Sequence, residues 1–217
     1  MGEKKKLQEA KRLGEQGQFQ QAWELLFGKA KAAPELELVE GDGRKMTLEE
    51  WKRYWLKHGC EIAGLRHFYA LADYLTPEQL AAIRKDCHES WIVCDRLDYQ
   101  GSKVSINGGC FVECPEYEGA LLAEVLGTPA GRKLFHELCR TEDGADAILQ
   151  KFVKLSGMMR GDIRVWTLSM DSRKACPSRA AGFYYGSGGF HVSGNDFLGN
   201  YGLSGRSRGV RRRREAR

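Results

Sequence analysis

Between Ser178 and Gly194 the apolar and polar positions fall into two short runs separated by glycine. Ser178 to Tyr185 ends in aromatics, Gly186 to Gly189 can turn, and Phe190 and Val192 then alternate with His191 and Ser193. This period of two predicts a β-hairpin, with Phe190 and Val192 on its buried face and His191 and Ser193 pointing outward. A last strand is expected over Arg206 to Arg211, anchored by Val210. Upstream, Leu36 and Leu38 alternate with Glu35, Glu37 and Glu40 ahead of Asp42-Gly43, which predicts a short strand, a tight turn and a small hairpin running into Met46. Trp91 to Ile106 reads as two strands joined near Gln100 to Ser102, followed by a turn at Asn107-Gly108-Gly109.

Helical spacing dominates the rest. Residues 4 to 32 predict two short helices broken near Gly14 to Gln18, and the run from Ala10 to Pro34 resembles a single tetratricopeptide-type helix pair. One such unit has no second copy to stack on, so it is expected as a helical hairpin appendage over residues 1–33. Thr47 is placed to cap a helix whose first turn carries Glu49 and Glu50, with Trp51, Tyr54 and Trp55 on one side. Glu61 to Leu75 is helical in pattern, and Thr76-Pro77 starts a helix reaching about Cys87. Tyr117 to Leu126, Thr128-Pro129 to Cys139, and Asp143 to Leu155 predict three more, closed by glycine after the first and third. Helices in the middle and strands at the end make an α+β main domain over residues 34–211, followed by a basic tail over 212–217.

Composition narrows the picture. At 217 residues with 42% hydrophobic positions the chain can bury one sizeable core. The formal charge of +5 suggests nucleic acid until it is located: residues 206 to 217 hold seven Arg and one Glu, which leaves 27 basic against 28 acidic residues before them. The body is neutral and the ending is basic. Arg211 to Arg214 could make sequence-independent phosphate contacts, and a nucleic-acid-associated protein using this tail is the alternative reading, although the tail lacks the interleaved aromatics of single-strand binders. No signal-type leader and no run of ~18 apolar residues is visible, so no membrane span is expected and a cytoplasmic location is the default, with display by a route needing no signal or in a phage particle left open.

Seven cysteines without framework spacing suit reduced thiols. His58, Cys60, Cys87, His88, Cys110 and Cys114 could gather a metal only without the Cys-x-x-Cys spacing of structural zinc, so no metal is expected. His67, His136 and His191 are isolated, no nucleophile elbow is present, and the glycines near Gly186 sit between strands rather than before a helix. No cofactor and no enzymatic activity are therefore expected.

Residues 182 to 209 hold nine of the 26 glycines, two of the three asparagines and three of the eight tyrosines, a composition that adapts its hydrogen bonding around large amphipathic contacts, as antibody loops do. The flanking motifs are Val165-Trp166-Thr167-x-Ser169, Arg179-Ala180 with Phe183, Gly189-Phe190-x-Val192, and Arg206-Ser207-Arg208-Gly209-Val210-Arg211. They resemble the end of the C-type-lectin-like fold in variable proteins of diversity-generating retroelements, a fold shared by formylglycine-generating enzymes. The resemblance covers about the last 50 residues well and the region from Tyr117 onward more loosely. It implies a ligand-binding protein on a fixed scaffold, whose loop positions are rewritten by reverse-transcription errors at template adenines. Tyr, Ser, Gly, Asp, His, Phe and Leu are reachable from an asparagine codon in this way, and they fill Phe183 to Tyr201. The implied ligand face comprises Tyr184, Tyr185, Ser187, His191, Ser193, Asn195, Asp196, Phe197, Leu198, Asn200 and Tyr201. Its partner would be a protein or other macromolecule. Asn195-Asp196 lacks the further oxygen ligands of a sugar-binding calcium site, and a lone Cys176 cannot supply the cysteine pair of the formylglycine-generating activity.

Overall fold

The computed structural model describes residues 9, 11, 12, 35–197 and 205–212. The chain divides into two units, Met1–Pro34 and Glu35–Arg217. In the first, Arg12 pairs with Glu9, and the remainder of the expected helix pair lies outside the described residues.

The second unit is α+β. Its first half contains β1 (Leu36–Val39), α1 (Leu48–Lys57), β2 (Glu61–Ile62), α2 (Leu65–Leu71), α3 (Pro77–Glu89), β3 (Ile92–Gln100), β4 (Lys103–Ile106) and β5 (Phe111–Glu113). There follow β6 (Glu118–Leu121), α4 (Leu122–Gly127), α5 (Pro129–Cys139), α6 (Ala145–Ser156), β7 (Ile163–Trp166), α7 (Met170–Ala175), β8 (Ser178–Gly186), β9 (Gly189–Phe197) and β10 (Gly209–Arg212). Seven strands form one sheet in the order β5-β4-β3-β8-β9-β7-β6. Every neighbouring pair in it is antiparallel except β7 with β9. A second sheet has the order β1-β10-β2.

The helix starts follow from their caps. Thr47 accepts from the Glu50 amide while Glu50 reaches back to the Thr47 amide, and Thr76 with Gln79 repeats the box ahead of Pro77. The core lies between one face of the large sheet and the helices: Phe68, Ile83, Phe135 and Phe152 meet Ile92, Leu97, Val165, Phe183, Phe190 and Val192. Phe68 packs edge-on to Phe183 with ring centroids 4.9 Å apart, the geometry aromatic quadrupoles favour. Beyond the opposite face, Leu48 of α1 packs on Val93 and Ala180, and Trp51 and Trp55 pack with Cys60, Val39, Met46 and Ile62. Among the described residues no helix is long and apolar enough to cross a membrane.

Three expected elements differ. The strand at Leu36 to Val39 forms no local hairpin. It pairs with β10, Leu38 opposite Val210, while Met46 bridges Gly205. Glu61–Ile62, expected as the start of a helix, pairs as β2 on the other edge of β10. Likewise Glu118–Leu121 is the edge strand β6 beside β7, and the helix starts only at Leu122. The first segment is a strand as its alternation predicts, and only its partner differs; at Glu61–Ile62 and Glu118–Leu121 distant strand pairing overrides helical spacing. The last strand starts at Gly209 rather than Arg206 and runs to Arg212, which keeps Arg211 in the strand as expected and adds Arg212 to the sheet rather than the tail. Gly209 is required by packing, because a Cβ there would collide with the indole of Trp55.

Candidate ligand-binding face

The β8–β9 hairpin occupies the middle of the large sheet, as its alternation predicts. Tyr185 stands opposite Phe190, Tyr184 opposite His191 and Phe183 opposite Val192, and the two strands join through Ser187 and Gly188. On its other edge β9 runs parallel to β7, with Arg164 beside His191 and Trp166 beside Ser193. Phe190 and Val192 point into the helical core, so His191 and Ser193 occupy the opposite face together with Tyr184 and Trp166.

Sidedness does not bring exposure. His191 is 4% exposed and Ser193 1%, which corrects the expectation that both point out to solvent. The imidazole lies edge-on to Tyr184, ring centroids 4.8 Å apart, and 5.7 Å from the Trp166 ring. Burial pulls its pKa below the ordinary histidine value, which favours the neutral ring. Tyr185 is also repositioned. It faces the helices, stacks on His88 with centroids 3.8 Å apart and donates its hydroxyl to the Ser156 carbonyl. Its side chain is thereby committed to α3 and α6. Ser187 is exposed at the hairpin turn and Tyr184 is half-buried beside it. Asn195, Asp196 and Phe197 belong to β9 by backbone pairing, Phe197 opposite Arg179, and Leu198, Asn200 and Tyr201 lie outside the described residues.

Both sides of that segment are fastened to the body. Before it, Tyr99 donates its hydroxyl to the Gly194 carbonyl at 2.8 Å. After it, the Gly205 carbonyl accepts from Trp51 Nε1 at 2.6 Å and from the Met46 amide at 3.0 Å. Arg206 then exchanges backbone bonds with the strand start, its amide donating to the Trp91 carbonyl and its carbonyl accepting from Val93. Its guanidinium pairs with Asp86 at 2.7 Å and Glu89 at 2.6 Å. Arg208, 4% exposed, pairs with Asp86 at 2.6 Å and Glu40 at 3.3 Å, and Arg211 pairs with Glu37 at 2.6 Å. Three arginines of the basic ending are therefore neutralised by the protein's own carboxylates. The carboxylate partners Asp86 and Glu89 carry no sequence signal beyond their place in a polar helix face.

A second concentration of polar groups was missed. Asp95, in the otherwise apolar run that begins β3, is 3% exposed. Its Oδ2 accepts from the Leu65 amide at 2.7 Å and its Oδ1 from Asn107 Nδ2 at 2.6 Å. It thus serves as a distant cap for α2, whose own N-cap, Gly64, has no side chain. Burial raises its pKa, opposed by those hydrogen bonds. His67 lies close by, its pKa pulled down to about 4 by burial and then by the Arg66 charge. The signal available was the charge itself, an Asp inside WIVCD.

Four of the seven cysteines are buried in surroundings that disfavour the thiolate, while Cys110 and Cys176 are exposed. Burial pushes the Cys87, Cys94 and Cys139 thiols up, and lifts Cys114 to about 11 against the pull of Arg173. Among the described residues no three His, Cys, Asp or Glu side chains gather as metal ligands. No protein-family model, curated protein or solved structure matches the chain.

Proposed function

We propose that the chain is a receptor-type ligand-binding protein, a variable protein of a diversity-generating retroelement that displays a diversifiable surface on a C-type-lectin-like scaffold. One observation carries the reading: the segment between Gly194 and Gly205 is held on both sides by bonds to buried groups of the body, Tyr99 on one side and Trp51 on the other. Side chains between such anchors can change without loss of the core, which is what a rewritten binding loop requires. The motif residues support the same division. Phe190, Val192, Arg206, Arg208 and Val210 are spent on packing and ion pairs.

The ligand is a protein or other macromolecule, contacted by Ser187 and Tyr184 and by the positions from Asn195 to Tyr201. Tyr185, His191 and Ser193 leave the list of contact residues and join the support beneath it, because their side chains are buried or committed to neighbours. The basic ending is the weaker route to a partner, since Arg206, Arg208 and Arg211 already hold intramolecular carboxylates.

The test is in the neighbouring DNA. A near-copy of the segment encoding residues 165 to 211, differing mainly at adenines and lying beside a reverse transcriptase gene, is the expected finding. Differences falling on the codons of Phe190, Val192 and Val210 rather than on those of residues 195 to 201 would overturn the reading, as would the absence of any such copy.

A further inference from the structure

A cleft of about 810 Å³ opens where the start of α2 meets the β3–β4 hairpin and the end of α5, and Arg66, His67, Asp95, Asn107 and Arg140 line it. His67 is 8% exposed. Its Nδ1 faces the Gly64 backbone N–H at 3.0 Å, and its Nε2 faces the Arg66 Nε–H at 3.2 Å. A neutral imidazole has one lone pair and one N–H, and an imidazolium has two N–H groups, so the ring can accept from at most one of these donors. The Gly64 amide is fixed in the first turn of α2, where its carbonyl also accepts from the His67 amide at 2.9 Å. It takes the lone pair at Nδ1. The proton then sits on Nε2, and two donors, His67 Nε2–H and Arg66 Nε–H, converge with no acceptor between them.

The carboxylates around the cleft do not fill that gap. Both Asp95 oxygens accept hydrogen bonds from Leu65 and Asn107. Asp98 pairs with Arg96 at 3.0 Å and Glu137 with Arg140 at 3.4 Å. Glu61 approaches Arg66 only to 3.8 Å, through Nη2 rather than Nε. Arg66 is the least neutralised of the three arginines.

We propose that this cleft binds a small oxyanion, a carboxylate or phosphate group held between His67 Nε2–H and the Arg66 guanidinium. The charged Arg66 guanidinium makes a short, strong hydrogen bond to an oxyanion, and an oxyanion that accepts from both groups relieves the donor-to-donor contact. The site is separate from the hairpin face and stands without the function proposed for it.

The experiment uses the full chain. Long-range proton–nitrogen correlation of the histidine rings reads the His67 tautomer, and titration with sodium acetate, and separately with inorganic phosphate, is compared with sodium chloride at matched ionic strength. The expected result is a proton on Nε2 and a saturable shift of the His67 signals with at least one of the two anions. The more effective anion assigns the site to carboxylates or to phosphates. Arg66→Gln is expected to weaken binding at least tenfold. His67→Asn is expected to do the same by calorimetry while remaining folded, since the asparagine oxygen can still accept from Gly64. A proton on Nδ1, no saturable shift beyond chloride with either anion, or unchanged affinity in either folded variant would overturn the proposal.

Discussion

Arg208 Nη2 lies 2.6 Å from Asp86 Oδ2, across 122 positions of sequence. Arg208 is 4% exposed, so removal of its partner leaves a cation buried with only Glu40, at 3.3 Å, to answer it. Asp86→Ala is expected to cost about 3 kcal/mol in urea unfolding, within the range for breaking a buried pair from one side. Asp86→Ala with Arg208→Met together should cost less than the sum of the two single changes. Additive losses would show that the pair does not couple.

The Asp95 carboxylate can be tested through its partners. Asn107→Ala deletes the donor at 2.6 Å and should destabilise the fold by about 1–3 kcal/mol, the penalty of an under-satisfied buried acceptor. Gly64→Ala should be as harmful by another route, because a Cβ at that position collides with the same carboxylate. Retention of wild-type stability by both variants would remove Asp95 from the account of how α2 starts.

His67 makes a pH prediction with a definite sign. The unfolded chain takes up a proton near the ordinary 6.5, the folded chain only near 4, so protonation favours unfolding and stability falls as pH drops through that window. Asp95 acts with the opposite sign, since burial raises its pKa. The comparison is therefore made between the wild type and His67→Asn, in which Asp95 titrates in both. The stability advantage of the wild type should shrink between pH 6.5 and 4, followed by urea unfolding at each pH. A constant difference would mean that His67 is not held neutral.

Scaffold and display positions should separate cleanly on the hairpin. Ser187→Ala, at an exposed turn, is expected to stay within about 0.5 kcal/mol of the wild type. His191→Ala, which empties a buried space between Tyr184 and Trp166, should cost more than about 2 kcal/mol. Thermal unfolding distinguishes them. Equal tolerance at both positions would return His191 to the variable surface.

Much of the hairpin, the caps and the helix starts could be read locally, because each depends on residues a few positions apart. Thr47 and Glu50 close their box within one turn, Pro77 fits only at a helix start, and Phe190 and Val192 alternate toward one face whatever the partner strand. Three things escaped that reading because they depend on segments far apart in the chain. Leu36–Val39 is a strand by alternation, but its partner is β10 at the other end of the chain, and no local pattern encodes that choice. His191 and Ser193 were placed on the correct face and given the wrong exposure, since period two reports which side a residue takes and not what covers that side. Arg206, Arg208 and Arg211 looked like part of a cationic patch until Asp86, Glu89, Glu40 and Glu37 were brought against them. Residue order thus set most of the local elements and their sides, through backbone sterics and hydrogen bonds of short range, but not the strands at Glu61–Ile62 and Glu118–Leu121, which distant pairing decided. Strand partners, burial of the polar face and neutralisation of charge arose only on folding, because they are properties of pairs that tertiary packing creates.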